Sequence, residues 1–512
     1  MTRICTAAIT GLDARLIEVE VDLSFGLHIF NIVGLPDKAV EEAKERVSSA
    51  IRHSGIAPPQ RNNQRLVVNL APADVKKEGS GYDLPIALGY LLASKQISFN
   101  PENKLFIGEL ALDGQVRPVN GILSMALLAR EKNIDTIFVP SDNAKEASLI
   151  EGIEIIPVRS LVQVVAHLEQ RQLIEAQKPI KIDELLKSSS TQKGFDMAYI
   201  KGQEGAKRAI EIAASGNHNL LMVGPPGSGK SLLAKAISSI LPRMSKEEIL
   251  EVTKTHSVAG KLDFRRSIII ERPFRSPHHT ASEISLIGGG AFSKPGEISL
   301  AHRGVLFLDE LPEFHRDVLE ALRQPLEEGF VTVSRARASY TYPARFMLVA
   351  AMNPCPCGYA GHPTRPCVCS GSQIMKYQRK LSGPLLDRID IWVEVPSLKY
   401  EKLASEKVAE ESTSIRKRVE QARKIQEQRF ENLNIKTNSE MSINLIEKYC
   451  RVDRAGRQLL KSAVDKMSLS ARAYHRILKL ARTIADLDSS ENILVKHLAE
   501  ALQYRQKNNT EL

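Results

Sequence analysis

Long uncharged apolar runs are missing from this sequence of 512 residues. The longest stretch of that kind lies near Leu84–Ala93, well short of the roughly 20 residues that a helix needs to cross a bilayer. The first residues, Met1-Thr2-Arg3-Ile4, lack the apolar segment of a secretory signal peptide. We therefore expect a cytoplasmic protein with no membrane partner.

Cysteine is also scarce, with six residues in the whole chain. Four of them fall within Cys355–Cys369, which argues against a disulfide framework and favours a local metal site. Charge is unbalanced, because the formal net charge is +10. A basic protein suits a polyanionic partner, but charge alone leaves open whether nucleic acid is bound.

Composition shifts along the chain predict three domains and a linker. Residues 1–177 have the strand and helix patterns of a mixed α/β domain, with alternating apolar residues around Ile17–Leu23. Residues 178–195 contain a short polar run, which indicates a linker. Residues 196–398 alternate strands and helices, as α/β domains do, and residues 399–512 are predicted to be helical, with helices at Ser412–Arg429 and Ala471–Leu487.

A phosphate-binding loop follows the apolar strand Asn219–Val223 and precedes a helix at Leu232–Ile240. Its pattern, G-x-x-x-x-G-K-S, lets backbone N–H groups turn toward phosphates at the positive end of the following helix. The lysine of this motif reaches the β- and γ-phosphates, and the last hydroxyl binds Mg²⁺. We predict ATP and Mg²⁺ as cofactors, held by Gly224, Pro225, Pro226, Gly227, Ser228, Gly229, Lys230 and Ser231.

Two acids end a second buried strand, in the sequence Val305-Leu306-Phe307-Leu308-Asp309-Glu310. In a P-loop protein the first acid positions Mg²⁺. Glu310 is then the predicted base that polarises the attacking water. The alternative is an ordinary strand end with solvated acids.

Taken with Ala350-Ala351-Met352-Asn353 and Leu385-Leu386-Asp387-Arg388, these motifs resemble AAA+ proteins of the Mg-chelatase and replicative-helicase branch. The resemblance implies that Asn353 is sensor 1, that Arg388 is an arginine finger for a neighbouring subunit, and that Arg472 is sensor 2 on a helical lid. It also implies a hexameric ring. Without the resemblance, an ion pair with Asp387 or Asp390 explains Arg388 equally well.

Basic residues in two segments between these motifs are candidates for contact with DNA phosphates. Arg275 and Lys294 lie in a long insertion, and Arg335 and Arg337 lie in a predicted hairpin from Phe330 to Arg345. This hairpin carries no acid, but a solvated hairpin without a ligand remains the alternative. Its tyrosines, Tyr340 and Tyr342, fit base stacking or simple packing.

The four clustered cysteines form the pattern C-x-C-x9-C-x-C directly after Asn353. Four thiolates suit a tetrahedral structural Zn²⁺, so the predicted ligands are Cys355, Cys357, Cys367 and Cys369, with His362 as an alternative. Idle reduced cysteines are the other interpretation.

The N-terminal domain resembles the Lon protease domain, in segments 76–85 and 108–121. That family uses a serine and a lysine, but Gly81 and Leu123 occupy the two aligned positions, and Ser80 lies one residue away. A nucleophile needs an adjacent base, so we expect no peptidase activity.

The combination of a Lon-like domain, a Mg-chelatase-type core and a helical lid resembles the bacterial ComM/YifB family over nearly the whole chain. The resemblance implies an ATP-driven hexameric DNA motor that acts on single-stranded and branched DNA. It further implies helicase activity in branch migration of recombination intermediates during natural transformation. A metal-chelatase subunit and an ATP-gated protein-remodelling chaperone remain the alternatives.

Overall fold

The computed structural model describes residues 1–27, 29–61, 64–188, 195–263, 267–290, 293–335, 338–398, 409–467 and 469–505. Its strands are β1 (Thr2–Thr10), β2 (Asp13–Phe25), β3 (Ile29–Val33), β4 (Gln64–Ala71), β5 (Lys104–Phe106), β6 (Glu109–Leu110), β7 (Val116–Arg117), β8 (Thr136–Pro140), β9 (Glu154–Val158), β10 (Leu220–Val223), β11 (Phe274–Arg275), β12 (Gly288–Gly289), β13 (Lys294–Pro295), β14 (Val305–Leu308), β15 (Phe330–Arg335), β16 (Ala338–Pro343), β17 (Met347–Met352) and β18 (Ile391–Glu394).

Helices lie between and after these strands. They span Lys38–Glu41, Ala43–His53, Asp83–Ala93, Ile122–Glu131, Ala144–Ala147, Leu161–Leu168, Ile182–Ser188, Glu204–Gly216, Lys230–Ile240, Lys246–Ala259, Glu283–Ile287, Glu297–Leu300, Arg316–Ala321, Arg323–Glu328, Gly371–Gln378, Gly383–Leu386, Ser412–Arg429, Ile443–Tyr449, Arg454–Met467, Ala471–Leu487 and Val495–Gln503.

The N-terminal region is built on a seven-stranded mixed sheet of order β3-β4-β2-β1-β5-β8-β9. Alternate residues of β2, such as Ile17 and Val19, are fully buried, because successive side chains of a strand point to opposite faces. Asp37 caps the helix Lys38–Glu41, since its carboxylate accepts the backbone N–H of Val40 at 2.8 Å. The fold class is therefore mixed α/β in this region.

The central region contains a five-stranded parallel sheet of order β11-β14-β17-β10-β18. Strands β14 and β17 are buried along their whole length, as expected for a parallel sheet covered on both faces. Parallel strands bring their carboxyl ends to one edge, where ligands of such folds bind. The loops after β10, β14 and β17 therefore meet there.

The C-terminal residues 409–505 form helices, and the predicted helices Ser412–Arg429 and Ala471–Leu487 are confirmed. Apolar residues of both helices, including Val419 and Ile484, share one hydrophobic core with the central sheet. The helical region therefore packs on the central domain rather than folding around a core of its own.

The segment predicted as a linker, 178–195, contains the helix Ile182–Ser188. Ile182 is buried in a core that includes residues of the N-terminal domain and of the helix Lys246–Ala259. Lys246 pairs with Asp183 at 2.7 Å. The polar run that suggested a linker lies largely outside the described residues.

A buried polar network joins the N-terminal and central regions. The hydroxyl of Ser257 accepts the backbone N–H of Gly121 at 2.9 Å and donates to the buried carboxyl of Glu146. Burial raises the pKa of Glu146. Among the described residues, no helix combines the length and apolar character required to cross a membrane.

Candidate nucleotide-binding site

The P-loop lies at the carboxyl end of β10 and leads into the helix Lys230–Ile240. Gly224 packs closely on the segment that follows β18, so that an added Cβ would lie 2.1 Å from the carbonyl oxygen of Val395. Gly227 and Gly229 have φ angles of 75° and 91°, in the left-handed region that favours glycine. The glycines of the motif are thus required by the backbone path.

Lys230 is buried at the centre of this loop. Its Nζ donates to the carbonyl oxygens of Gly224 at 2.6 Å and Pro225 at 2.9 Å, and to Oδ1 of Asn353 at 3.2 Å. Burial lowers the pKa of Lys230, while the carboxylates of Asp309 and Glu310 act against that shift. The ammonium group therefore points into the loop, where a triphosphate offers it better acceptors than carbonyls do.

Two oxygens that could hold Mg²⁺ lie side by side. The hydroxyl of Ser231 donates to Oδ2 of Asp309 at 2.6 Å, although the two residues are far apart in sequence. Hydroxyl and carboxylate oxygens are the hard donors that Mg²⁺ prefers, so this pair fits the metal. The structure brings together the two residues that the sequence assigns to Mg²⁺.

Glu310 follows Asp309 with a φ of 53°, which is uncommon for a residue with a side chain and indicates local strain. Its side chain is about half exposed, and Oε2 lies 3.4 Å from Nδ1 of His279. The ring of His279 packs against that of His278 at a tilt of 33°, with centroids 4.1 Å apart. The sequence did not indicate this contact of His279 with Glu310.

Asn353 directly follows β17 and lies next to Lys230, as expected of a residue that senses the γ-phosphate. Its backbone lies near the hydroxyl of Tyr377 and acts to lower the pKa of that hydroxyl. Burial raises the pKa of that hydroxyl to about 12. Tyr377 therefore lies next to Asn353, a proximity that the sequence did not indicate.

Gln203 is a second residue that sequence analysis missed. Its side-chain amide donates to the carbonyl oxygens of Pro396 at 2.6 Å and Ser228 at 3.3 Å. Gln203 is buried and has a left-handed φ of 60°. It therefore connects the P-loop to the chain that leaves β18.

Arg388 lies at the opposite end of the same sheet. Its carbonyl oxygen accepts from the side chain of Asn219, the residue just before β10, at 2.8 Å. Strand β10 has four residues, so the two ends of the sheet are about 13 Å apart at roughly 3.3 Å per residue. The position of Arg388 is therefore remote from the pocket of its own chain.

The guanidinium of Arg388 pairs with Glu327 and donates to the carbonyl oxygen of Pro384 at 2.6 Å. Its Nε is buried with no hydrogen-bond partner among the described residues. The ion pair with Asp387 or Asp390 that the sequence left open is not the one formed here. Asp390 instead pairs with Arg476 at 3.8 Å.

Arg472 is exposed near the start of the helix Ala471–Leu487. Both Arg472 and Arg388 act electrostatically on Arg476, which donates to the carbonyl oxygen of Ile389 at 3.3 Å. Arg472 thus lies with Arg388 at the amino ends of the strands. We call this group of arginines, Arg388, Arg472 and Arg476, the arginine edge.

Comparison with known proteins places this architecture in a family. Three family descriptions match the chain: "Magnesium chelatase, subunit ChlI" over residues 196–403, "Subunit ChlI of Mg-chelatase" over 19–143, and "Magnesium chelatase, subunit ChlI C-terminal" over 409–505. Competence protein ComM of Haemophilus influenzae is 45% identical over 97% of this chain and 95% of its own length. The chain belongs to the ComM/YifB family.

Other relatives show how far this likeness extends. YifB of Escherichia coli is 44% identical over 98% of this chain and 96% of its own length. The magnesium-chelatase 38 kDa subunit of Cereibacter sphaeroides is 27% identical over 32% of this chain and 54% of its own length. The likeness to ComM and YifB thus includes the N-terminal region, whereas the chelatase subunit matches about a third of the chain.

The hairpin predicted in this ComM/YifB-family chain is confirmed, because β15 and β16 pair antiparallel from Phe330↔Pro343 to Arg335↔Ala338. Arg337 lies outside the described residues, and the side chain of Arg335 does as well. Tyr342 is buried, its hydroxyl donates to the carbonyl of Ser293, and burial raises its pKa to about 12. This tyrosine therefore packs inside the protein rather than facing a base.

Two other predicted DNA contacts, Arg275 and Lys294, belong to the insertion before β14. Arg275 forms a two-point ion pair with Glu297, with both N–O distances 2.6 Å, so its charge is balanced within the chain. Lys294 is exposed on β13. Contact of either residue with DNA stays a prediction.

The four clustered cysteines come together, with their sulfur atoms all within 4.8 Å of one another. The Sγ atoms of Cys355, Cys357 and Cys367 are 3.4 to 3.6 Å apart. Thiolates around a tetrahedral Zn²⁺ at about 2.3 Å lie roughly 3.8 Å apart, so the cluster fits zinc. These separations exceed the 2.05 Å or so of a disulfide.

Backbone N–H groups point at these sulfurs, as they do around bound metals. The N–H of Ala360 donates to Sγ of Cys355 at 3.3 Å, and that of Tyr359 contributes to lowering the pKa of Cys357 to about 6. His362, the alternative ligand, instead lies with Nε2 3.1 Å from the hydroxyl of Ser397.

In the N-terminal region, the structure also shows the surroundings of Leu123 and Ser80, the residues at or beside the positions that align with the Lon lysine and serine. Leu123 is fully buried in an apolar core, and its backbone N–H donates to Glu146 at 2.8 Å. The hydroxyl of Ser80 donates to the carboxylate of Glu109, which also pairs with Arg117 at 3.5 Å. The absence of peptidase activity stays a prediction.

Proposed function

We propose that this protein is an ATP-driven DNA motor that assembles as a homohexameric ring and promotes branch migration of recombination intermediates during natural transformation. Membership of the ComM/YifB family supports a role in competence, since a relative that aligns over nearly the full length of both chains is named competence protein ComM. The proposal depends most on two contacts in the pocket, that of Lys230 with Asn353 and that of Ser231 with Asp309.

In the proposed reaction, Lys230 binds the β- and γ-phosphates, and Ser231 and Asp309 hold Mg²⁺. The ion, when bound, neutralises charge that develops on the phosphate oxygens. Glu310 orients the attacking water and accepts its proton, and Asn353 holds the same water in line. The water oxygen bonds to the γ-phosphorus, the bond to the β–γ bridging oxygen breaks, and ADP and phosphate leave.

The position of the arginine edge is an argument for the proposed ring of subunits. Arg388 lies about one strand length from its own pocket, so it serves a nucleotide only if that nucleotide belongs to a neighbouring subunit. A head-to-tail contact of this kind closes into a ring by rotation. We propose that Arg388 and Arg472 both act on the neighbouring subunit's γ-phosphate.

The hairpin β15–β16 is the proposed DNA contact. The hairpin is followed by β17, and β17 leads into Asn353. A movement of Asn353 when the γ-phosphate is cleaved would therefore reach the hairpin through one strand. The sequence of this segment includes Arg335 and Arg337, and phosphate contacts of basic residues supply most non-specific DNA affinity. A Zn²⁺ held by the four cysteines completes the proposed cofactors.

The test is the rate of ATP hydrolysis with and without single-stranded DNA. We expect DNA to stimulate the rate several-fold at low salt, and the double variant Arg335→Ala, Arg337→Ala to lose that stimulation. The matched control is Lys132→Ala, Lys145→Ala, which removes the same charge from exposed sites in the N-terminal region. The control should respond to DNA as the wild-type protein does.

A second measurement addresses the motor itself. On a synthetic three-strand junction, the wild-type protein should move the branch point with ATP and leave it in place without ATP. A protein whose ATP hydrolysis ignores DNA, and which moves no junction, would instead support a chelatase subunit or a protein-remodelling ATPase.

A further inference from the structure

The loop that carries the four cysteines touches the P-loop. At Gly358 an added Cβ would lie 2.4 Å from Cδ and 2.6 Å from Cγ of Pro226. Gly358 also has a left-handed φ of 85°. Since the proline ring is fused to its own backbone, Pro226 cannot move aside without displacing the P-loop.

Both ends of the same loop are tied to the pocket. The loop starts just after Asn353, which accepts a hydrogen bond from Lys230, and the helix that follows the loop brings Tyr377 back to the backbone of Asn353. On the other side, His362 contacts Ser397 at 3.1 Å. Ser397 follows Pro396, whose carbonyl accepts the amide of Gln203.

We propose that the four-cysteine loop is a zinc-closed latch that holds the P-loop through the contact of Gly358 with Pro226, so that nucleotide affinity depends on zinc occupancy. The latch rests on the proposed function only in requiring that the Lys230 pocket binds ATP. The ligands are Cys355, Cys357, Cys367 and Cys369, and the side chain that the latch holds is Pro226.

The physical reason lies in the composition of the loop. Residues 355–369 include three prolines and two glycines, and the structure places no helix or strand within them. Such a segment has no regular hydrogen bonding to offset the conformational entropy that it loses when it becomes ordered. Metal binding then supplies the free energy that orders the loop. Once the metal leaves, the surface that positions Pro226 is lost, and the P-loop must be ordered by the nucleotide itself.

Two glycines of this loop give a matched pair for the test. Gly358→Ala introduces a methyl group against Pro226, whereas Gly361→Ala introduces one at a similar φ of 71° with nothing within 4 Å. Backbone strain is therefore comparable, and only the contact with the P-loop differs. We expect the dissociation constant of a fluorescent ADP analogue to rise about tenfold in Gly358→Ala. It should change less than twofold in Gly361→Ala.

Zinc content provides a readout independent of the nucleotide. Full-length protein purified without added zinc should contain one zinc per chain, measured by mass spectrometry of the metal, and both glycine variants should retain it. Removal of zinc with a nitrogen chelator that leaves Mg²⁺ in solution should weaken binding of the ADP analogue by a similar factor, and added zinc should restore it. In Gly358→Ala the same removal should have little further effect, because the two changes break one contact.

The outcomes separate the latch from the proposed function. If zinc is absent, if its removal leaves affinity unchanged, or if Gly358→Ala binds the analogue as tightly as Gly361→Ala does, the latch is wrong while the ATP pocket stands. If the zinc-loaded wild-type protein binds no nucleotide, the proposed function fails and the latch fails with it.

Discussion

The nucleotide pocket and the arginine edge belong to one sheet, yet they differ in how complete they are. In the pocket, Lys230 already contacts Asn353 and Ser231 contacts Asp309, although these four residues follow three different strands, β10, β14 and β17. At the arginine edge, Arg388 has a buried Nε with no partner among the described residues. In the proposed ring, the pocket and the arginine edge are the two halves of one catalytic site, and only a neighbouring subunit joins them.

The largest expected effect comes from removing Arg388, the proposed arginine finger. Arg388→Ala should bind nucleotide normally but lose hydrolysis by about 10³-fold or more, because an arginine finger stabilises charge in the transition state. Lys230→Ala should be inactive because it lacks the phosphate contact. Mixed in one assembly, the two inactive variants should recover activity wherever an intact pocket meets an intact Arg388.

The control for this mixing experiment is Arg379→Ala, which removes an exposed arginine outside the arginine edge. Arg379→Ala should hydrolyse ATP at close to the wild-type rate, both alone and when mixed. Recovery is measured as phosphate release at several mixing ratios. A mixture as inactive as its two components, from subunits shown to co-assemble, would contradict the assignment of Arg388 to a neighbour's pocket.

The next largest effect is expected in the nucleotide pocket, from a change of the proposed base Glu310. Glu310→Gln keeps the shape of the side chain but removes its capacity to accept a proton, so hydrolysis should fall by roughly 10²- to 10⁴-fold. ATP should stay bound and uncleaved, which quenching and chromatography of the bound nucleotide would show. Glu313→Gln is the matched control, because Glu313 lies three residues on and pairs with Lys380 at 3.0 Å on the surface. Equal rates in the two variants would remove Glu310 from the proposed reaction.

The same comparison explains what the sequence could predict. The P-loop, Asp309 and the hairpin depend on local patterns of a few residues, so they were predicted with nearly correct bounds. The packing of Gly358 on Pro226 and the bonds from Gln203 depend on segments that are distant in sequence and meet only in the folded chain.

Local pattern also misses structure where apolar residues are few. The helix Ile182–Ser188 lies inside a segment predicted as a linker, because its apolar residues span less than two turns, too short a stretch to show a clear helical period. The ion pair of Arg388 with Glu327 was likewise out of reach, since the sequence offered the nearer Asp387 and Asp390 as partners.

The smallest effect is expected from Gln203, which connects the P-loop to the segment after β18. Gln203→Met keeps the length of the side chain but leaves the carbonyls of Ser228 and Pro396 without their donor. The loss of a buried hydrogen bond costs about 1 kcal/mol, so nucleotide affinity should fall about fivefold while hydrolysis of bound ATP changes little. Gln96→Met is the matched control, because it removes an amide that donates to Ala57 at 3.1 Å in the N-terminal region. The control should lower thermal stability without weakening nucleotide binding, and equal affinity in both variants would mean that the P-loop holds its shape without Gln203.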